Sequence, residues 1–203
     1  MYSKICTAFA LSLIAASAHA APVLVNNHGF EERNLAPGGF DSLVPSGWVR
    51  AVNNSEVGTF RPSIASWGYI TSEGNNLFYA NGGFIQQTTS ELLAIGGTYT
   101  LEVDVINRRN YFHGYTVQLL AGDTVIAQDI SGLTPPVGGF LVSTLTYSPA
   151  ANDPLLGQPL TIRLGGTIQA NFDNVRLNSD GIPAPASVGA FALAGVLAAR
   201  RRR

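Results

Sequence analysis

Two polar, aromatic stretches hold the side chains best suited to chemistry. "NRRNYFHGY" gathers Arg108, Arg109, Asn110, Tyr111 and His113 into one turn, and "RPSIASWGYITSEGNN" adds Trp67 and Tyr69 beside Arg61, Glu73 and Asn75. Flat aromatic faces pack against sugar C–H surfaces while guanidinium and amide groups bond hydroxyls, so both stretches read as saccharide-binding surface. Trp67 and Tyr69 fit equally well as core aromatics with wet polar edges. Turns normally collect small residues, which sets the first stretch apart.

Catalytic patterns are weaker. Glu102 and Asp104 share a strand face and could serve as paired carboxylates for glycoside cleavage, but acids on a solvent face usually only keep a strand soluble. His28 and His113 lack metal-ligand spacing, and no Gly-x-Ser-x-Gly elbow supplies a nucleophile. Residues 21–182 contain no lysine, so Schiff-base chemistry is excluded. The expectation is a protein that binds without catalysing, with a structural matrix protein or adhesin as the alternative.

Charge excludes another class. The 203 residues include 12 basic and 13 acidic side chains, yet Lys4 and the arginines at 200–203 lie near the ends, leaving seven arginines against 13 acids over 21–182. Such an acidic body lacks the basic stripe that neutralises phosphates, so nucleic acid is not an expected partner. "MYSKICTAFALSLIAASAHA" has the charged, apolar and small-residue parts of a secretory signal, and its removal takes the single cysteine, Cys6, with it. Without disulfides, the body must be held by its core.

The elements that would position the candidate residues read as strands. In "GTYTLEVDV", Tyr99, Leu101, Val103 and Val105 share one face and Thr98, Thr100, Glu102 and Asp104 the other, the period of a half-buried strand. "FIQQTT", "YTVQLLAG", "DTVIAQDI", "FLVSTLTYS", "PLTIRLGG" and "FDNVRL" repeat the design between turn residues. A first strand is expected at 23–26 and another near Trp48, with "GFEERNLAPGGFDSLVPSGW" as ordered loop between them. The fold class predicted is all-β, an antiparallel jelly-roll β-sandwich, with an N-terminal signal helix and a C-terminal hydrophobic helix. Domain limits follow as signal 1–20, sandwich 21–181 and sorting segment 182–203.

That last segment, "IPAPASVGAFALAGVLAARRRR", resembles the PEP-CTERM sorting signal of exosortase substrates through Pro183, Ala184 and Pro185, a glycine-bearing apolar run, and Arg200, Arg201, Arg202 and Arg203. Ala184 stands where that family has glutamate. The resemblance implies an exosortase-type processing partner, transient anchoring in an inner membrane, delivery to the cell surface or matrix, and exopolysaccharide as a neighbour. "VNNHGFE", "PSGW", "FIQQTT…LAIGGTYTLEVDV" and "FDNVRL" are similar in order to galactose-binding-like jelly rolls, which include many carbohydrate-binding modules. By that second resemblance Glu31 and Asp173 are expected to hold a structural calcium, or else to cap loops and pair with Arg33 and Arg176.

Overall fold

The computed structural model describes residues 20–180, apart from 53–55, 69, 110 and 111 and the side chains of Val52, Ser66 and Trp67. Period-two alternation produces β1 (Ala21–Val23), β2 (Val49–Val52), β3 (Glu56–Phe60), β4 (Leu77–Asn81), β5 (Phe84–Leu92), β6 (Thr98–Ile106), β7 (Thr116–Ala121), β8 (Thr124–Ile130), β9 (Phe140–Tyr147), β10 (Pro159–Gly165) and β11 (Ala170–Asp180). They form two antiparallel sheets, one in the order β3-β4-β11-β6-β9 with β1 added to β11, the other β2-β5-β10-β7-β8. The inner faces meet in one core. Tyr99, Leu101, Val103 and Val105 are completely buried there, as their spacing predicts.

Aromatic rings run through that core. Phe30 lies 5.6 Å from both Trp48 and Phe78, Phe78 lies 5.8 Å from Phe172, and Phe172 lies 6.4 Å from Tyr115. The strand β11 carries Phe172 inward and is long enough for two neighbours on one edge. Residues 170–172 pair with β4, and 177–179 pair with β1. Between them the pairing with β6 shifts register at 173–176, and the Val175 N–H donates to the His28 carbonyl at 3.0 Å.

The two-sheet sandwich agrees with the sequence, but the helices added to it do not belong to the described fold. The single helical turn α1 (Ile64–Trp67) is the one helix among the described residues. No helix among the described residues is long and apolar enough to cross a membrane, so the described fold gives no support to the expectation of transient inner-membrane anchoring. The signal stretch, Pro183, Ala184, Pro185 and the arginines at 200–203 lie outside the described residues.

A polar bridge closes one side of the sandwich. The buried Tyr115 hydroxyl donates to Asp129 at 2.6 Å and accepts from the Leu133 N–H at 2.9 Å, while Ser143 on β9 donates to the same Asp129 oxygen at 2.6 Å. One carboxylate thus ties the edge strands of both sheets. Burial, followed by the bond to Asp129, holds the phenol well above its ordinary range. Tyr115→Phe keeps the ring but leaves the Leu133 N–H without an acceptor, so it is expected to lower the unfolding free energy by about 1–3 kcal/mol in urea titrations.

Candidate functional site

The outer face of the first sheet is partly covered by its own chain. Residues 38–41 run antiparallel beside β3, with Phe40 opposite Phe60, and form a strap whose Asp41 carbonyl lies over Gly58: the Gly38 N–H donates to the Arg61 carbonyl at 2.7 Å, the Arg61 N–H to Gly39 at 2.9 Å, and the Asp41 N–H to Thr59 at 3.0 Å. Gly58 makes this approach possible, because a Cβ there would overlap the Asp41 carbonyl oxygen and stand 3.0 Å from Tyr79 Cε1. Below the strap, Phe60, Leu77, Tyr79 and Ile106 form a second buried apolar cluster, separate from the main core. Phe40 lies edge-on to Tyr79 at 6.3 Å and is itself largely exposed.

A cavity of about 260 Å³ opens there, lined by Phe40, Glu56, Phe60, Tyr79, Asn81, Arg108 and Gln169. Its walls are aromatic and its polar groups come from four separate segments. Glu56 accepts from Tyr79 Oη at 3.0 Å, from Ser42 Oγ at 3.1 Å and from Asn81 Nδ2 at 3.1 Å. Those donors, Asn81 first and Tyr79 second, hold its carboxyl below the usual range, so the group is a carboxylate at neutral pH. The same hydroxyl lies 2.8 Å from the Asp41 carbonyl, so its one hydrogen is shared between that oxygen and Glu56, and burial, with the neighbouring carboxylate, pushes the phenol up to about 12. An ionised acceptor and a permanently protonated donor therefore sit side by side.

A larger hollow of about 430 Å³ lies along β1 and β11, lined by Pro22, Val23, Leu24, Val25, His28 and residues 174–178. Its one permanently charged member, Arg176, is turned to Glu102 and Asp104, each at 3.4 Å. That contact also accounts for the two acids that a glycoside-cleaving pair would have used. Chemistry favours the smaller cavity.

Of the residues expected to bind ligand, Arg108 lines this cavity and donates to Gln169 Oε1 at 2.8 Å. Arg109 is exposed and lies beside Gly68, so the two candidate stretches do approach one another. His113 is exposed, and neighbouring Phe112 packs on the core, 6.1 Å from Tyr115. Tyr69, Asn110, Tyr111 and the Trp67 side chain lie outside what is described. Phe40, Glu56, Phe60, Tyr79, Asn81 and Gln169 were missed, and neither "EVGTF" nor "LFYAN" carries the alternation that would have marked its strand.

Glu31 and Asp173 converge on one loop. Glu31 accepts from the Asn75 and Asn76 N–H groups at 2.8 and 2.7 Å, and Asp173 from the Ser72 N–H and hydroxyl at 3.0 Å each, the Glu73 N–H at 2.9 Å and the Asn174 N–H at 2.8 Å. These donors have the polarity that suits a carboxylate and opposes a cation, so a calcium here would have to displace them. Among the described residues no three His, Cys, Asp or Glu side chains assemble around a common point. Arg33 pairs with Glu32 and Asp41 rather than Glu31.

Comparison with known proteins places this geometry. A family profile described as HpiC1-like, HpiC1 cyclase, matches residues 21–178. A Stig cyclase, Fisc, from Fischerella sp. TAU, solved in complex with (3Z)-3-(1-methyl-2-pyrrolidinylidene)-3H-indole, is 30% identical with a TM-score of 0.71, covering 81% of this chain and 100% of its own. A cyclase from the same organism, in complex with 4-(1H-indol-3-yl)butan-2-one, is 30% identical with a TM-score of 0.69 over the same shares. The CBM22-1 xylan-binding domain of Paenibacillus barcinonensis Xyn10C covers 84% of this chain and 100% of its own at 14% identity and a TM-score of 0.51, a likeness of fold alone. No curated protein matches.

These findings correct the expected function. The family profile and the solved relatives are of cyclases, so the body is that of a cyclase family. It is neither a non-catalytic polysaccharide binder or adhesin nor an exosortase substrate by family. The physical reason lies in the blocks behind the resemblance: Phe30, Trp48, Phe172 and Asp173 are all buried scaffold, which sugar-binding jelly rolls and cyclases share. The strap offers a direct test of the cavity's architecture. Gly58→Ala must lift the 38–41 segment from β3, with an expected loss of about 1–3 kcal/mol in urea unfolding, and unchanged stability would show that the contact yields freely.

Proposed function

The chain belongs to the HpiC1-like cyclase family, and we propose that it closes a ring on a small indole-type ligand held in the cavity between Phe40, Phe60 and Tyr79. The observation that carries this reading is the pairing of aromatic walls with an ionised Glu56 and a protonated Tyr79 in one cavity of about 260 Å³. That volume, at the small end for ligand pockets, suits one fused aromatic ring system with a short substituent. Edge and face contacts with the three rings would hold its plane.

The chemistry assigned to the polar pair follows from charge. When the aromatic π pair forms the new bond to a cationic carbon carried by the same ligand, the positive charge passes to the ring, and aromaticity returns when the proton on the newly bonded ring carbon departs. Glu56 is the group placed to take that proton: the C–H pair of electrons re-enters the ring and the carboxylate becomes a carboxylic acid. A weak base suffices, because such a ring cation is a strong acid. Tyr79 keeps its proton and, through it, orients Glu56.

Isothermal titration of the full chain with 4-(1H-indol-3-yl)butan-2-one tests occupancy, with Phe60→Ala and Tyr79→Ala expected to weaken binding about tenfold or more. Absence of saturable binding overturns the reading. Glu56→Gln keeps the shape and removes the base, so turnover of a cyclisable indole should fall about a hundredfold with affinity nearly unchanged. Because Glu56 is held below 4.5, its carboxylate form, and the stability that its bonds supply, is complete above that value and is lost only as pH falls further. The acid limb of the rate profile should therefore lie below pH 4.5, and a fall at higher pH would point to another group. Calcium at Glu31 and Asp173 stays a separate proposal, removed if melting temperature is the same in chelator and in calcium chloride.

A further inference from the structure

The cavity wall keeps one acceptor that the protein itself does not use. Two side-chain amides line the cavity, Asn81 and Gln169. Gln169 spends its oxygen on Arg108 Nη1 at 2.8 Å. Asn81, half-buried and paired in register with Glu56 on β3, spends its nitrogen instead: Nδ2 donates to Glu56 Oε2 at 3.1 Å. A carboxylate has no hydrogen to give, so this amide cannot turn over without setting two oxygens against each other. Its Oδ1 is therefore directed away from Glu56, has no partner among the described residues, and is open to water.

The hydroxyl hydrogens around it are already assigned. Ser42 Oγ donates to Glu56 Oε1 at 3.1 Å, and the one hydrogen of Tyr79 is shared between that same oxygen, at 3.0 Å, and the Asp41 carbonyl, at 2.8 Å. This end of the wall consequently offers a ligand mainly lone pairs and calls for a hydrogen in return. Glu56 is the rival acceptor. Its Oε1 already has two donors and its Oε2 has the Asn81 amide, whereas Asn81 Oδ1 has none.

We propose that Asn81 is a specificity-determining residue, whose Oδ1 accepts the hydrogen on the ring nitrogen of the ligand bound in the Phe40–Phe60–Tyr79 cavity. This rests on the reading of that cavity as the ligand site and adds which ligands it selects: aromatic systems that carry a ring N–H, in preference to systems of equal size that lack one. Because the Asn81 amide is bonded to Glu56, the anchored nitrogen stands beside the carboxylate without occupying it.

The test is calorimetric, on the full chain, with the indolyl ketone used above and the benzofuran in which a ring oxygen replaces its N–H, a change that removes the donor and adds no bulk. The indole is expected to bind about fivefold tighter, the ratio that one bond to a partly hydrated acceptor supports. In Asn81→Leu, and in Asn81→Val, which suits a strand, the ratio should fall to near one through loss of indole affinity, with the benzofuran binding as before. Either substitution also frees Glu56 Oε2 from its donor, so a preference that belonged to Glu56 would persist or grow. A ratio that does so in both variants overturns the assignment, as does a ratio near one in the unaltered protein. Failure of both compounds to bind instead overturns the cavity reading beneath it.

Discussion

Asp173 sits where β11 loses its neighbours, and the site depends on what that carboxylate collects. The strand β4 leaves β11 at Phe172 and β1 does not arrive until Leu177, so the interval has no strand on that edge. The loop at 72–76 fills it, donating to Asp173 from Ser72 and Glu73 and to Glu31 from Asn75 and Asn76. Burial pushes the Asp173 carboxyl up to about 7, against four hydrogen bonds that favour its charged form. Pinned at both ends, the loop fixes where β4 begins. Tyr79 and Asn81, two and four residues into that strand, inherit their positions from it.

The strands that the sequence announced are those with one wet face. From β5 to β11 apolar and polar residues alternate, and the period alone assigns the buried side. Two strands escaped for different reasons. In "EVGTF", Gly58 breaks the pattern because the strap needs the space of its side chain. In "LFYAN", Phe78 and Ala80 face the core while Leu77 and Tyr79 face the strap, so both sides are covered and alternation disappears. The segment "GFEERNLAPGGFDSLVPSGW" is ordered loop pinned by rings, as expected, with Phe30 and Trp48 in the core. Phe40 turns the other way, onto Tyr79.

Function was harder to read than fold because the site has no contiguous motif. Phe40 comes from the strap, Glu56 and Phe60 from β3, Tyr79 and Asn81 from β4, Arg108 from the turn after β6, and Gln169 from just before β11. The sheet order β3-β4-β11-β6 makes neighbours of distant segments, with Phe78 paired to Phe172. Arg108 was legible, since paired arginines in a turn are unusual. The blocks that did stand out hold the sandwich together, and a scaffold used for several chemistries says little about which one it carries.

The strap does more than cover the cavity. The one hydroxyl hydrogen of Tyr79 is shared between the Asp41 carbonyl on the strap and Glu56 on β3, so the phenol oxygen is held between the two. Its high pKa follows from that placement: losing the proton would leave a phenolate against a carboxylate and a carbonyl, in partial burial. Glu56 for its part is exposed to water and still held ionised by neutral donors rather than by a cation, which leaves its charge uncancelled. An uncancelled negative charge against aromatic walls stabilises positive charge developing on a bound ring. On the same lining Arg108 donates to Gln169 Oε1, so a cation and a carboxylate share the cavity wall. The polarity of that wall is built from uncharged amides and a phenol as much as from its two ions.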